Sequence, residues 1–345
     1  MSVVVTAHLI SSFKKNGTNF YIVDRQTSCN QKNLSLMHRM IEVTVLPEVT
    51  AGLKSDLVKE PKILGITLLK GASQKPPGND VLNIHVLNGG TDEVFRLLHK
   101  HCGEKNFSVV TSEVASITDP AHQKIINQDV DEAIWEEVET GLRHNGRLTT
   151  NFLLLMATGG IISAIGFVSD LQTQVIAFIS SSIIAPGLEP VTKIPVGLVL
   201  GKKDILWEGV KSTVVGYGLM MAVSAAIFFI LMMSGSVKAE QFLHNELAIM
   251  LTDVTLKDFI SSVAASAAGI IMYLSYRRNV IAGPLIALVT IPAASGAAMC
   301  LILGEWKFAL LMLYRLGVDF ILIIAVGALF IWLKQKYVHR RKPLH

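Results

Sequence analysis

The chain has 345 residues, 51% of them hydrophobic and 17% charged, and its formal net charge at pH 7 is +4. This charge is too small to indicate a nucleic-acid partner, and the three scattered cysteines have neither metal-site spacing nor a disulfide framework. Long apolar runs begin at Phe152 and recur to Leu333, whereas the first 147 residues are mixed and polar. This contrast predicts a soluble part followed by a membrane part.

A small α+β domain is predicted over residues 39–120, and no structure is predicted for residues 1–38. Alternating apolar and polar residues indicate half-buried strands, and apolar residues at helical spacing indicate helices. The strands lie at 41–45, 63–69, 81–87 and 107–115, and the helices at 49–59 and 91–102. This order, β-α-β-β-α-β, is typical of a ferredoxin-like domain. Gly89-Gly90-Thr91, before the second helix, could hold an anion or form a turn and a helix cap.

Residues 121–148 are predicted to form a connector helix, because apolar residues recur at helical spacing from Ile126 to His144. The membrane domain follows over 149–335, and residues 336–345 form a basic tail.

Six apolar runs approach the roughly 20 residues that a spanning helix needs. They lie near 150–168, 175–200, 212–233, 259–276, 280–303 and 308–333. The fourth run is rich in serine, alanine and glycine, which lets helices approach closely and favours a homo-oligomer.

The basic residues predict the orientation of the chain. With six spans, Arg143 and Arg147, the lysines at 202–211, the pair Arg277 and Arg278, and the basic tail all lie on the side of the soluble domain. The positive-inside rule makes that side cytoplasmic. We therefore expect an integral protein of a bacterial inner membrane, with the lipid bilayer as its partner and both termini in the cytoplasm.

The second span is predicted to be a broken helix. It is interrupted by Pro186, Gly187, Pro190 and Pro195, and each internal proline removes a backbone donor and clashes with the preceding turn. Free backbone groups at membrane depth are tolerated only when they are buried in protein or line a water-filled cavity.

The two halves of the membrane part resemble each other. Phe152 and Phe259 open the first and fourth spans, and Pro186 and Pro292 occupy similar places in the second and fifth spans. Since each unit has three spans, the second unit must be inverted. Inverted repeats with broken helices in corresponding positions indicate a transporter-type site near the bilayer midplane. The alternative is a duplicated structural bundle whose prolines are kinks that neighbouring helices satisfy.

Two pairs of charges lie within the spans. Glu189 and Lys193 are four residues apart and could pair on a helix, approach each other across a cavity, or form a local pair nearer the membrane surface. Glu189 could also titrate a proton, bind a cation or pair with a substrate. Arg315 and Asp319 are also four apart, and are predicted either to pair inside the bundle or to line the route of a solute.

Hydroxyl groups lie beside both predicted breaks. Ser181 and Ser182 precede the first, and Ser295 and Gly296 follow the second. Such serines either bind a solute or hydrogen-bond to their own backbone and pack as small residues.

Three segments resemble a known family. They are Ala185-Pro186-Gly187-Leu188-Glu189-Pro190, Leu200-Gly201-Lys202-Lys203-Asp204 and Ile291-Pro292-Ala293-Ala294-Ser295-Gly296. In order and spacing they resemble the proline breaks and helix exit of the uncharacterised bacterial and archaeal integral membrane proteins known as domain of unknown function 389. The resemblance covers about 40–333. It implies the membrane fold and a small cytoplasmic domain, but no activity. Glu189 stands where the family's glycine is expected.

The sequence therefore predicts an α-helical bundle of two inverted three-helix repeats, with broken second and fifth helices, that acts as a secondary transporter or channel for a small solute or ion. The alternative is a membrane-anchored regulatory or assembly protein whose soluble domain binds a ligand or partner. No catalytic motif occurs in the spans, and no metal or cofactor is expected. The predicted binding residues are Ser181, Ser182, Pro186, Gly187, Glu189, Lys193, Pro292, Ser295 and Gly296, with Arg315 and Asp319 as a gating or internal ion pair.

Overall fold

The computed structural model describes residues 38–103, 106–114, 116–130, 132–144, 146–253, 255–275 and 282–339, and for 282–288 it describes the backbone alone. These residues fall within one compact unit, Leu36–His345. Most of the predicted N-terminal segment and of the predicted basic tail lies outside the described residues.

The soluble part folds as two helices on one face of a four-stranded sheet. Its elements are β1 (His38–Val45), α1 (Pro47–Leu57), β2 (Ile63–Leu69), β3 (Asp80–Val86), α2 (Thr91–Cys102) and β4 (Phe107–Val114). The strand order is β2-β3-β1-β4, and the three pairings are antiparallel. Alternate residues of β1, Ile41 and Val43 among them, are fully buried with Leu53 of α1 and Leu98 of α2. The element order is therefore the one that the alternating pattern predicts.

The connector is not one continuous helix. The structure has α3 (Gln123–Ile126) and α4 (Trp135–His144), and the described residues between them are not helical. The prediction of a helix from Ile126 to His144 is therefore wrong in its first half. The side chain of Asp129 accepts hydrogen bonds from the backbone N–H groups of Asn88 (2.6 Å) and Gly89 (3.0 Å), and these bonds hold the segment against the soluble domain.

A buried ion pair joins the sheet to the connector. Arg39 of β1 is fully buried, and its guanidinium donates two hydrogen bonds to the carboxylate of Glu137 in α4, at 3.0 and 2.7 Å. At the other end of α4, Arg143 bonds to Glu139 (2.8 Å) and to Asp204 (2.5 Å), and these carboxylates raise the pKa of Arg143. The connector is thus held at both ends by guanidinium–carboxylate bonds.

The membrane part contains seven larger helices and two short ones in its described residues. They are α5 (Thr150–Phe167), α6 (Leu171–Ile184), α7 (Leu188–Leu200), α8 (Lys203–Met233), α9 (Ala239–Leu243), α10 (Glu246–Met250), α11 (Leu256–Leu274), α12 (Ala282–Ile302) and α13 (Trp306–Tyr337). Among the described residues, α5, α8, α11 and α13 are long and apolar enough to span a membrane. The pair α6 and α7, bent by 48° at a short break, gives a fifth candidate. The predicted count of six spans stays a prediction.

The second span is broken at Pro186 and Gly187 as predicted, but α7 continues through Pro195, and the predicted break in the fifth span is wrong. Helix α12 continues through Pro292. Pro190 follows Pro186 by four residues with Gly187 between them, whereas Pro292 is the single proline in the interior of α12, since Pro284 lies in its first turn. A lone proline removes a single backbone hydrogen bond and kinks a membrane helix that its neighbours support. The alanines that follow Pro292, Ala293, Ala294 and Ala297, are small and fully buried. Neighbouring helices therefore pack closely against α12 here and support the kink.

The ion pair of Arg39 should make a large contribution to the stability of the soluble domain. We expect Arg39→Met to lower it by roughly 3 kcal/mol, because the mostly buried carboxylate of Glu137 then loses both charge-assisted hydrogen bonds from the guanidinium. The measurement is hydrogen exchange of the β1 amides in the detergent-solubilised chain. Arg96→Met is the control, since its pair with Glu93 lies on the exposed surface of α2. Equal exchange in the two variants would contradict the prediction.

Candidate functional site

The candidate site is the break between α6 and α7. Helix α6 ends at Ile184, Ala185 is extended (φ −81°, ψ 123°), and α7 begins at Leu188. In a continuous helix, Pro190 would lack the N–H that bonds the carbonyl of Pro186, and its ring would clash with that carbonyl. In the structure, Pro190 instead lies in the first turn of α7, where no N–H partner is needed. The two prolines therefore set where the helix stops and restarts.

The break lies nearer to one face of the bundle than to its middle. The 14 residues of α6 rise by about 21 Å, roughly two thirds of a hydrocarbon core of about 30 Å. Gly146, four residues before α5, packs against the same place, since a Cβ added to it would lie 3.0 Å from the nitrogen of Pro190. This geometry places the break closer to the membrane surface at which α5 begins than to the predicted position at the bilayer midplane.

Hydroxyl groups from two other helices bind at the break. The buried hydroxyl of Tyr217, in α8, donates to the carbonyl oxygen of Gly187 at 3.3 Å and lies 3.0 Å from Oγ1 of Thr290, in α12. The ring of Tyr217 packs edge-on against Phe320 of α13, with centroids 4.9 Å apart. The carbonyl of Gly187, at the break, is therefore joined to α8 and α12 by a short chain of hydrogen bonds.

Two further hydroxyls are buried near the break without a hydrogen-bond partner among the described residues, those of Ser163 and Ser212. Ser163 lies on the face of α5 that carries Gly159, which packs against Ala185. Ser212 lies on the face of α8 that carries Gly209, which packs against the carbonyl of Pro190. Buried polar groups are rarely left unpaired, so these two flanking positions call for an explanation.

The predicted serines are satisfied within the protein. Ser181 donates to the carbonyl of Phe178 (2.9 Å) and Ser182 to that of Ile179 (2.8 Å), both within α6. Ser295 of α12 accepts a hydrogen bond at 3.0 Å from Ser224 of α8. Ser181 and Ser182 thus follow the backbone-bonding alternative, and Ser295 joins two helices.

Gly296 of α12 lies in a tightly packed contact between helices. A Cβ there would lie 2.7 Å from the sulfur of Met312 and 3.1 Å from the ring of Phe167. The residue therefore lets α12 approach α13 and α5 closely.

Lys193 is paired with Glu208, so the pairing with Glu189, one of the alternatives that the spacing allows, does not form. The ammonium of Lys193 is fully buried and lies 3.0 Å from Oε1 of Glu208 in α8. Gly209 lets the two helices approach, since a Cβ on it would lie 2.7 Å from Cβ of Lys193. Glu189 makes no ion pair with any described residue. It lies half-buried in the first turn of α7, where the partial positive charge of the helix N-terminus stabilises a carboxylate.

A second buried charge cluster lies between α11 and α13. Nε of Arg315 is 3.3 Å from Oδ2 of Asp319, and the other carboxylate oxygen of Asp319 accepts a 2.7 Å hydrogen bond from Ser262. Asp258 approaches the same guanidinium at 3.8 Å. The pair is internal, as the spacing of four residues allows, and its role in gating stays a prediction.

Sequence reasoning missed Tyr217, Thr290, Ser163, Ser212 and Glu208. The first four are isolated polar groups in apolar helices, and this is the signal that could have found them, because a hydroxyl in a span needs a partner. Glu208 lies just before the predicted start of the third span. Its sequence position is equally compatible with a solvated charge at the membrane boundary and with a buried ion pair.

The corrected pairing of Lys193 can be tested by stability. Glu208→Ala leaves a buried ammonium without its partner, and we expect a loss of about 2 kcal/mol, reduced by the partial exposure of Glu208. Glu189→Ala, four residues from Lys193, should destabilise the protein much less. Thermal unfolding of the two variants in the same detergent measures the difference. A larger loss for Glu189→Ala would show that Glu189 is the partner.

Comparison with curated proteins and with solved structures gives no match. A family model does match, over residues 183–325. This is a shorter stretch than the predicted resemblance over 40–333, and it leaves out the soluble domain. It contains the helix break, the pair of Lys193 and Glu208, and the cluster around Arg315. The resemblance is therefore confirmed for these residues, which match the family model described as Domain of unknown function (DUF389).

Proposed function

We propose that this chain is a membrane protein that moves a small solute or ion through the bundle at the break between α6 and α7. The observation that carries the proposal is the break itself, where the helix is interrupted at Ala185 and the carbonyl of Gly187, the residue before α7, accepts a hydrogen bond from Tyr217. Non-helical backbone at membrane depth is otherwise costly, and in membrane proteins it marks substrate and ion sites.

The groups around the break support a small polar or charged cargo. Carbonyl and hydroxyl oxygens can replace the hydration shell of a cation or hydrogen-bond a polar solute. The unpaired hydroxyls of Ser163 and Ser212 are additional contacts that such a cargo would satisfy. Glu189, without an ion pair among the described residues, adds a carboxylate to the same end of α7.

The same proposal includes the repeat, the number of spans, the orientation and the oligomeric state. Helix α8 packs against α5 and α7 in one candidate unit, and α11, α12 and α13 pack against one another in the other. Helix α12 also packs against α5, α6 and α8, and α13 packs against α7. We infer that the units are related by an inverted repeat and make six spans, with both termini on the cytoplasmic side of an inner membrane, and that the protein assembles as a homo-oligomer. Since α12 is continuous, the site depends on one broken helix rather than two.

A second candidate function is that of a membrane-anchored regulator. The end of α13 is bonded to the soluble domain and the connector, which favours communication between them. Nδ1 of His339 lies 2.9 Å from Oδ2 of Asp92, at the start of α2. Lys334 binds both the carboxylate of Glu132 and the carbonyl of Leu274, at the end of α11.

The transport proposal is tested by Tyr217→Phe. This variant keeps the ring against Phe320 but removes the hydroxyl that joins Gly187 to Thr290. We expect flux in proteoliposomes to fall by about tenfold, equivalent to about 1.4 kcal/mol, as is typical of losing one hydrogen bond in such a site. A panel of cations, anions and small polar solutes, with and without a proton gradient, measures the flux.

Tyr314→Phe is the matched control, because Tyr314 lies on the exposed surface of α13. Flux that changes equally in the two variants would contradict a role for the break. A wild-type protein that moves no member of the panel would leave the regulator as the better account. In that case we expect changes at Asp92 and Glu132 to affect function while Glu189→Gln does not.

Ser163→Ala separates a binding role from a structural one. Removing a buried hydroxyl that has no protein partner should raise stability by about 1 kcal/mol, while flux should fall if the hydroxyl contacts the cargo. Thermal unfolding and the proteoliposome assay measure the two effects. A more stable variant with undiminished flux would show that Ser163 does not contact the cargo.

A further inference from the structure

The soluble domain holds an anion at the turn before α2, and that anion is a carboxylate of the chain itself. The 3₁₀ turn Asn88–Gly90 leads into α2. Its first two N–H groups donate to the two carboxylate oxygens of Asp129, Asn88 at 2.6 Å and Gly89 at 3.0 Å. Successive backbone N–H groups at a helix start form a site of the kind that binds phosphate.

Two basic side chains lie at the same place. The imidazole of His38 is buried, and its Nδ1 makes no hydrogen bond within the described residues although it lies 3.5 Å from Oδ2 of Asp129. The ammonium of Lys62 donates to the carbonyl of Gly89 at 2.9 Å. A Cβ on Gly89 would lie 2.9 Å from that ammonium and 3.5 Å from Oδ1 of Asp129, so the cation and the anion both lie against this residue. The buried, unbonded nitrogen of His38 indicates that the site has more donor capacity than one carboxylate uses.

Asp129 can leave this site without disrupting a core. Its side chain is only 3% exposed, but Asn127, Gln128 and Val130 on either side are exposed. The segment is non-helical at Asp129 and places one buried carboxylate against the backbone N–H groups of the turn. Lifting it away exposes two N–H groups and the imidazole, next to the ammonium of Lys62, which is already exposed.

We propose that the soluble domain has a binding site for the phosphate group of a small soluble molecule, formed by the backbone of Asn88 and Gly89 with His38 and Lys62, and that Asp129 occupies this site when no ligand is bound. A phosphate dianion offers more acceptor oxygens than a carboxylate and pairs with both basic groups. Binding replaces the hydrogen bonds of Asp129 with those of the ligand.

The site is positioned to act on the bundle. Asp129 lies six residues before Trp135, the first residue of α4. Trp135 is buried in a cluster with Val196 of α7, Ile270 of α11 and Ile331 of α13. Displacing Asp129 therefore releases the segment that leads directly into the contact between connector and bundle. The inference does not depend on transport, and phosphate binding can be measured whether or not the protein moves a solute.

The experiment compares phosphate binding by the wild-type chain and by Asp129→Ala, both full-length and in nanodiscs of neutral lipid. Isothermal titration with inorganic phosphate and with glycerol 3-phosphate gives the affinities. We expect Asp129→Ala to bind roughly tenfold or more tightly than the wild type, because the fraction of empty sites sets the apparent affinity. Lys62→Gln added to Asp129→Ala should abolish the gain.

Asp119→Ala is the matched control, since Asp119 is a more exposed carboxylate that bonds to its own turn at Ala121 and His122. It should bind phosphate no better than the wild type. The proposal is overturned if Asp129→Ala retains the hydrogen-exchange protection of β1 and β3 and yet binds no more tightly. Tighter binding only to nanodiscs that contain phosphatidic acid would assign the site to a lipid headgroup and contradict a soluble ligand.

If Asp129→Ala fails to fold, the wild type alone decides the question. Saturating phosphate should speed hydrogen exchange at 127–130 while protecting the amides of Asn88 and Gly89. An exchange pattern unchanged by phosphate, with equimolar chloride as the ionic-strength control, would show that Asp129 is a fixed structural cap.

Discussion

Pro186 and Pro190 are one helical turn apart, and this spacing is the constraint on which the membrane part depends. A continuous helix would put the ring of Pro190 against the carbonyl of Pro186 and leave that carbonyl unbonded. The chain therefore leaves the helix at Ala185 and restarts at Leu188. Since lipid cannot satisfy the freed groups, other helices must do so. Tyr217 bonds the carbonyl of Gly187 beside Pro186, and its hydrogen bonds hold α8 and α12 against the break.

The buried ion pairs join parts of the chain that are distant in sequence. Lys193 is fully buried, and its pair with Glu208 holds α7 against α8. Buried ion pairs add little net stability, but removing one partner is costly, so they enforce a particular arrangement. Arg39 enforces the contact of sheet and connector in the same way. The result is a soluble domain that is bonded to the helices of the bundle rather than tethered by a linker.

The features that local chemistry determines could be predicted from the sequence. The sheet follows from alternation, and the break at Pro186 follows from two prolines with a glycine between them. Pro292 misled the prediction because one proline in a tightly packed helix of small residues only kinks it. The partner of Lys193 could not be found either, because Glu189 and Glu208 are both compatible with its position, and burial rather than spacing decides between them. Tertiary contacts thus determine the partner of Lys193 and the continuity of α12, which residue spacing alone does not.

The central claim is that water or a polar cargo reaches the break from one side of the membrane. The most direct test places a single cysteine at Ser212, in a chain whose native cysteines at 29, 102 and 300 are replaced by alanine. Its reaction with a small, water-soluble thiol reagent is then measured in intact proteoliposomes. The account predicts that this cysteine reacts, whereas one at Ile176, on the exposed outer surface of α6, does not. Two equally unreactive cysteines would show that the break is dry and would contradict the account.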